Sequence, residues 1–122
     1  MIDITKYNNE NIFAKILRGE IPCDKILDNK DVLVFKDINP QAPLHILIIP
    51  KKKYCSLYDF SKNADPLTIA SIFRAIDQVI NSLGIKNGFR LICNTGEDGC
   101  QEVPHLHFHI LAGKKLGKII SD

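Results

Sequence analysis

Three of the four histidines fall at every second position in one stretch, His105-Leu106-His107-Phe108-His109-Ile110-Leu111. Leu106, Phe108, Ile110 and Leu111 favour extended backbone, and successive side chains of a strand point to opposite faces. The spacing predicts a strand with His105, His107 and His109 on one face and Leu106, Phe108 and Ile110 on the other. The apolar row can pack on a core while the imidazole row lines a surface or cleft.

Three uses of such a row compete. At a rise of ~3.3 Å per residue, the outer two histidines lie ~13 Å apart at the backbone. Zn–N bonds are ~2.0 Å, so three rings cannot easily reach one ion, although two neighbours could with help from elsewhere. The second use is a phosphate site. A neutral imidazole can attack phosphorus while its neighbours donate to phosphoryl oxygens, and an unperturbed pKa of ~6.5 leaves the ring mostly neutral near pH 7. The third is a set of half-exposed histidines with no task, and three alternating rings are costly to pack and hydrate.

Two other segments carry recognisable patterns. Asp37-Ile38-Asn39-Pro40-Gln41-Ala42-Pro43-Leu44-His45 is followed by Ile49-Pro50-Lys51-Lys52, and Asn94-Thr95-Gly96-Glu97-Asp98-Gly99-Cys100-Gln101-Glu102 leads into the histidine row. With His-x-His-x-His and its two following apolar residues, these segments resemble the histidine-triad (HIT) nucleotide-binding family over most of the chain. Within it they resemble the Hint branch, the small purine nucleoside phosphoramidases.

At 122 residues the chain is expected to form one HIT domain, 1–122, with a short tail at 114–122. Apolar content of 45% and charged content of 25% suit a globular protein, and a net charge of +2 argues for neither nucleic acid nor an anionic membrane. No apolar run approaches the ~20 residues of a membrane span, and Met1-Ile2-Asp3-Ile4-Thr5-Lys6 has no signal-peptide core. A cytoplasmic protein is the expectation. Cys23, Cys55, Cys93 and Cys100 lack C-x-x-C spacing and read as free thiols. Some members of the family carry zinc on a cysteine pair around the first helix. The matching segment here, Asn11-Ile12-Phe13-Ala14, has no thiol, so neither a metal nor another cofactor is expected.

Along the chain, residues 8–18 read as a helix capped by Asn8 or Asn9, with Ile12, Phe13, Ile16 and Leu17 as its stripe and Gly19 past its end. Strands are expected near 24–28 and 31–36, joined by the turn cluster at Asp28-Asn29-Lys30-Asp31. Leu44–Ile49 reads as a strand buried on both faces, interrupted by His45. That histidine is either a satisfied core residue or a neighbour of His105 that fixes ring tautomers. Residues 64–83 give the clearest helix, with Asp65 and Pro66 at its start and Ile69, Ile72, Phe73, Ile76, Val79, Ile80 and Leu83 at helical spacing. Gly88 to Asn94 reads as the fourth strand. The fold class expected is α+β, a five-stranded antiparallel sheet with two helices, the longer covering one face.

The resemblance implies the rest. Ile12, Phe13, Ile16, Ile21, Phe35 and Ile38 would form an apolar base pocket, and Asp37 would accept hydrogen bonds from the ribose hydroxyls. Asn94, with the backbone of Cys100 and Glu102, would meet the α-phosphate, within a nucleotide-binding stretch that includes Gly99 and Gln101. His107 would attack phosphorus, His109 would stabilise the non-bridging oxygens, and His105 and His45 would stand behind them. Homodimers are implied, with the long helix and following strand at a two-fold interface that continues the sheet. The activity implied is hydrolysis of a purine nucleoside phosphoramidate through a nucleotidyl-histidine. The alternatives are a dinucleoside polyphosphate hydrolase and a non-enzymatic nucleotide-binding module.

Overall fold

A computed structural model describes residues 2–120. Five antiparallel strands form one sheet: β1 (Lys25–Asp28), β2 (Val32–Lys36), β3 (Leu44–Pro50), β4 (Arg90–Ile92) and β5 (Phe108–Ala112), in the order β1-β2-β3-β5-β4. Three helices accompany it, α1 (Ile12–Leu17), α2 (Leu57–Asn63) and α3 (Pro66–Ser82).

The central strands are apolar throughout because each face has its own cover. Val32, Val34, Ile46, Ile48, Phe108 and Ile110 pack with Ile72, Ala75 and Val79 of α3 in one core. Leu33, Phe35, Leu47 and Ile49, at the alternate positions, pack with Phe13 and Ile16 of α1 in another. Leu106 joins Phe108 and Ile110 in the α3 core, so the even-numbered residues of the histidine segment face that helix. The register Leu47↔His109 and His45↔Leu111 puts the odd-numbered positions on the α1 side.

Element boundaries differ from expectation for local reasons. Strand β5 begins only at Phe108, so His105 and His107 precede the ladder instead of sitting in it. Helix α1 starts four residues later than predicted, because the cap is Asn11, whose side chain accepts from the Ala14 N–H. It ends as predicted at Gly19, where φ is +79° and the Gly19 and Glu20 N–H groups return to Ile16 O and Lys15 O. Strand β4 keeps only three residues. Helix α2 is an addition to the two helices expected. Its sign in the sequence is Ser56-x-x-Asp59: Ser56 Oγ accepts from the Asp59 N–H, and the Asp59 carboxylate accepts from the Cys55 N–H.

Candidate active site

On the α1 side of the sheet lies a cavity of about 430 Å³, lined by α1, the end of β2, the 94–103 loop and the histidine segment. Ile12, Phe13, Ile16, Ile21, Phe35 and Ile38 form its apolar wall, and Asp37, Asn94, Cys100, Glu102, His107 and His109 its polar one. Twelve of the sixteen residues singled out in the sequence therefore meet there. The other four, His45, Gly99, Gln101 and His105, are not part of the lining.

The four histidines form two short chains whose hydrogens can be assigned by elimination. Burial lowers the pKa of all four below 6.5, so the rings are neutral at pH 7 and each carries one N–H. His105 and His109 are pushed down to about 4, the first by burial chiefly and the second by burial reinforced by the rings of His107 and His45. A carbonyl can only accept, so His105 donates from Nε2 to Pro50 O at 2.9 Å, and His107 donates from Nδ1 to His105 O at 2.8 Å. His107 Nε2 is left as a free lone pair. The second chain starts at a backbone donor: the Gln41 N–H donates to His45 Nδ1 at 3.1 Å. His45 must then carry its hydrogen on Nε2 and donate to His109 Nδ1 at 2.9 Å, which puts the hydrogen of His109 on Nε2. A lone pair on His107 and a donor on His109 thus stand side by side, with ring centroids 5.1 Å apart.

The expectation that His45 lies beside His105 is corrected here. His45 sits against His109, because its cross-strand partner on β5 is Leu111, two residues beyond. His105 is instead wholly buried, between Pro50 O and the hydroxyl of Tyr7. Tyr7 was missed because an isolated tyrosine ahead of the first helix carries no periodic signal.

Asp37 follows β2 directly. Its N–H donates to His45 O, and one carboxylate oxygen accepts from the Asn39 N–H at 2.8 Å. The other lies 3.4 Å from His45 Nε2. Among the described residues, Asp37, His45 and His109 could each offer one ligand atom to a cation, all within 4.8 Å of one another. The proton assignment gives that cluster another character. With Nδ1 of His45 taken by Gln41, its Nε2 holds a hydrogen that a cation would have to displace, so the donor set favours a hydrogen-bonded relay.

The 94–103 loop is held from within. Gln101 is buried, and its side chain accepts from the Gly96 N–H while donating to Cys55 O and Val103 O. It latches the loop to the segment after β3, which is why it does not line the cavity. Gly99 packs so tightly that a Cβ there would come within 2.5 Å of Thr95 O. Cys100 has φ of +58° and gives its N–H to Glu97 O at 3.0 Å. This N–H is thus engaged inside the loop, so a phosphate contact from it would have to share or displace the bond to Glu97 O.

Comparison with known proteins agrees with this geometry. The family model described as HIT domain matches residues 18–116. An uncharacterized 13.2 kDa HIT-like protein of Azospirillum brasilense is 52% identical over 116 residues, covering 94% of this chain and 95% of its own. The structure of a histidine triad protein from Clostridium difficile superposes with a TM-score of 0.83 at 46% identity, covering 94% of this chain and all (100%) of that one. A HIT family hydrolase from Clostridium thermocellum gives 0.85 at 37% identity, with 93% and 99% covered. With its five-stranded antiparallel sheet and its row of alternating histidines, the chain belongs to the HIT domain family.

Proposed function

We propose that this protein is a hydrolase of the Hint branch that releases a nucleoside monophosphate from a purine nucleoside 5′-phosphoramidate, through a nucleotide carried covalently on His107. The observation that carries the reading is the pairing of proton states in the cavity wall: an imidazole lone pair on His107 beside an imidazole N–H on His109. One can attack phosphorus while the other donates to the oxygen on which charge develops.

The base lies against Ile12, Phe13, Ile16, Ile21, Phe35 and Ile38, and Asp37 accepts from the ribose hydroxyls. A volume of about 430 Å³ is in the range of a single small-ligand site. His107 Nε2 forms a bond to the α-phosphorus as the P–N bond to the leaving amine breaks, and the amine takes up a proton as it departs. The phosphorylated ring is cationic. Its Nδ1–H stays on His105 O, a neutral acceptor that holds the ring in line and disperses the charge. His109 and Asn94 face the non-bridging oxygens. Water then attacks phosphorus, the P–Nε2 bond breaks and the monophosphate leaves. Glu102 repels a phosphate, which suits a place beside the amine end of the substrate. His45 and Gln41 act through His109 by keeping its hydrogen on Nε2.

Residues 1–122 are taken as one HIT domain with a tail at 114–122, working as a cytoplasmic homodimer. Support for the dimer comes from β4, which is the sheet edge, and from exposed Leu67 and Phe73 on α3 and Phe89 and Leu91 at β4. Among the described residues no helix is long and apolar enough to cross a membrane.

The test is a steady-state comparison of a nucleoside phosphoramidate, an acyl-adenylate and a dinucleoside polyphosphate on one preparation. Fastest turnover of the phosphoramidate, with a nucleotide trapped on His107 after rapid acid quench, supports the reading. Preference for the dinucleoside polyphosphate moves the protein to the other small hydrolytic branch. Binding without turnover of any of the three makes it a nucleotide-binding module.

A further inference from the structure

We propose that Tyr7 is a positioning residue for His107, acting through the ring and carbonyl of His105. The inference rests on the catalytic reading of His107 for its kinetic arm only.

His105 lies before β5 begins; the peptide that carries its carbonyl is tied on one side by the Leu106 N–H, which donates to Tyr54 O at 2.8 Å, and its other anchor is the side chain. The ring is gripped at both ends. Nε2 donates to Pro50 O, and Nδ1, which must then be an acceptor, takes the hydroxyl hydrogen of Tyr7 at 2.5 Å. Pro50 is the last residue of β3, and Tyr7 belongs to the segment before α1, so the ring pins the N-terminal segment to the sheet. The carbonyl of this same residue receives the Nδ1–H of His107. Any tilt of residue 105 therefore moves the acceptor that sets the direction of the His107 lone pair.

The surroundings of Tyr7 suit the task. Its ring meets the His105 ring edge-on, with centroids 5.6 Å apart; Lys53 Nζ, 5.8 Å from the Tyr7 centroid, neighbours the ring but takes no part in the bond to His105. Phe13 lies edge-to-face with both His105 and His107, filling the remaining space beside them. Without the hydroxyl, Nδ1 of a wholly buried imidazole would lose its partner, and only Pro50 O would remain to fix the ring. None of these groups lines the cavity except Phe13 and His107, so Tyr7 acts without touching substrate.

The experiment compares the full-length wild type, Tyr7→Phe and Lys53→Ala by ¹⁵N–¹H correlation of the histidine rings, and by steady-state turnover of an adenosine phosphoramidate. Tyr7→Phe keeps the aromatic packing and removes one oxygen. The expected result is a displaced or broadened His107 Nδ1–H resonance and a kcat lower by about tenfold at a KM within about twofold of wild type, the size expected of a slightly misaimed reactive group. Lys53→Ala should leave both readouts unchanged. A His107 resonance identical in Tyr7→Phe and wild type overturns the proposal, as does a kcat within twofold of wild type. Should the wild type turn over no phosphoramidate, the functional reading falls and the ring resonances alone decide this one. Should Tyr7→Phe not fold, replacing the three tyrosines by 3-fluorotyrosine, a stronger hydrogen-bond donor, takes its place. A shifted His107 Nδ1–H resonance then supports the proposal, and an unshifted one overturns it.

Discussion

The histidine cluster and the outer edge of the cavity's apolar wall are held to very different tolerances. In the first, His107 lines the cavity and is buried, His45 and His105 are buried behind the lining, and the ring nitrogens that meet protein have partners at 2.5–3.1 Å. On the apolar wall, Phe13, Ile16 and Phe35 are buried in the α1 core, but at the outer edge Ile38 is 83% exposed and Ile12 42% exposed. A reacting atom has to be placed to within a fraction of an ångström, whereas a base can slide on an apolar surface at little cost. Exposed isoleucines beside a buried, hydrogen-bonded histidine cluster are what this division of labour produces. Under the proposed function, an outer edge that only recognises can stay exposed and still gain from being covered by ligand.

That contrast can be broken by substitution, beginning on the tight side. His107→Ala should lower kcat by roughly 10⁴-fold or more, the scale seen when a nucleophile is removed, and abolish the quench-trapped adduct. A folded His107→Ala with near-normal turnover would end the covalent reading. His109→Ala should cost about 10²–10³-fold in kcat, as for loss of one donor to a developing oxyanion. A comparable loss appearing only in KM would assign the ring to ground-state binding instead.

Asp37→Asn should raise KM by about 10–100-fold with a much smaller effect on kcat, since a charge-assisted hydrogen bond contributes about 1.5–3 kcal/mol. A kcat effect as large as that of His109→Ala would show that Asp37 acts chiefly through its contact with His45.

Acid should separate the walls in a different way. With folded-state pKa values of about 4, His105 and His109 bind protons later than the same rings in the unfolded chain, near 6.5. As pH falls from 6.5 to about 4 the unfolded state takes up protons that the folded state does not, so stability declines across that window. The loss attributable to His105 should reach about 3 kcal/mol at its bottom, with less from the more exposed His109. Urea unfolding at pH 7, 5.5 and 4.5 measures it, and a flat profile would mean that the rings titrate normally. The smallest effect belongs to the loose wall. Ile38→Ala should raise KM only a few-fold, in line with about 1–2 kcal/mol of apolar contact, and leave the thermal midpoint unchanged because the side chain is exposed in the free protein.

Much of this arrangement can be read from the chain. Period-two alternation at 105–111 separates Leu106, Phe108 and Ile110, which join the α3 core, from the histidines on the other side. Helical spacing from Ile69 to Leu83 marks α3, although Phe73 in that stripe is 52% exposed and Thr68 and Ala75, outside it, are buried. Less legible were the partners of polar groups. Gln101 sits in a segment that resembles a phosphate loop, yet its amide faces inward to Cys55 O, 46 residues away in sequence. The sequence offers His105 as a neighbour of His45, whereas strand register places His45 on His109.

Which residue types alternate, which stretches can bury two faces, and where α1 ends and α3 begins are legible in the chain alone, because these follow from local geometry and the period of each element. Where each histidine keeps its proton is fixed by packing in three dimensions. That depends on whether the group a few ångströms away is a carbonyl, an amide N–H or a phenol, and Pro50, Gln41 and Tyr7 reach their rings through strand pairing and chain packing. A hydrogen bond is selective over a distance far shorter than the spacing any sequence pattern encodes.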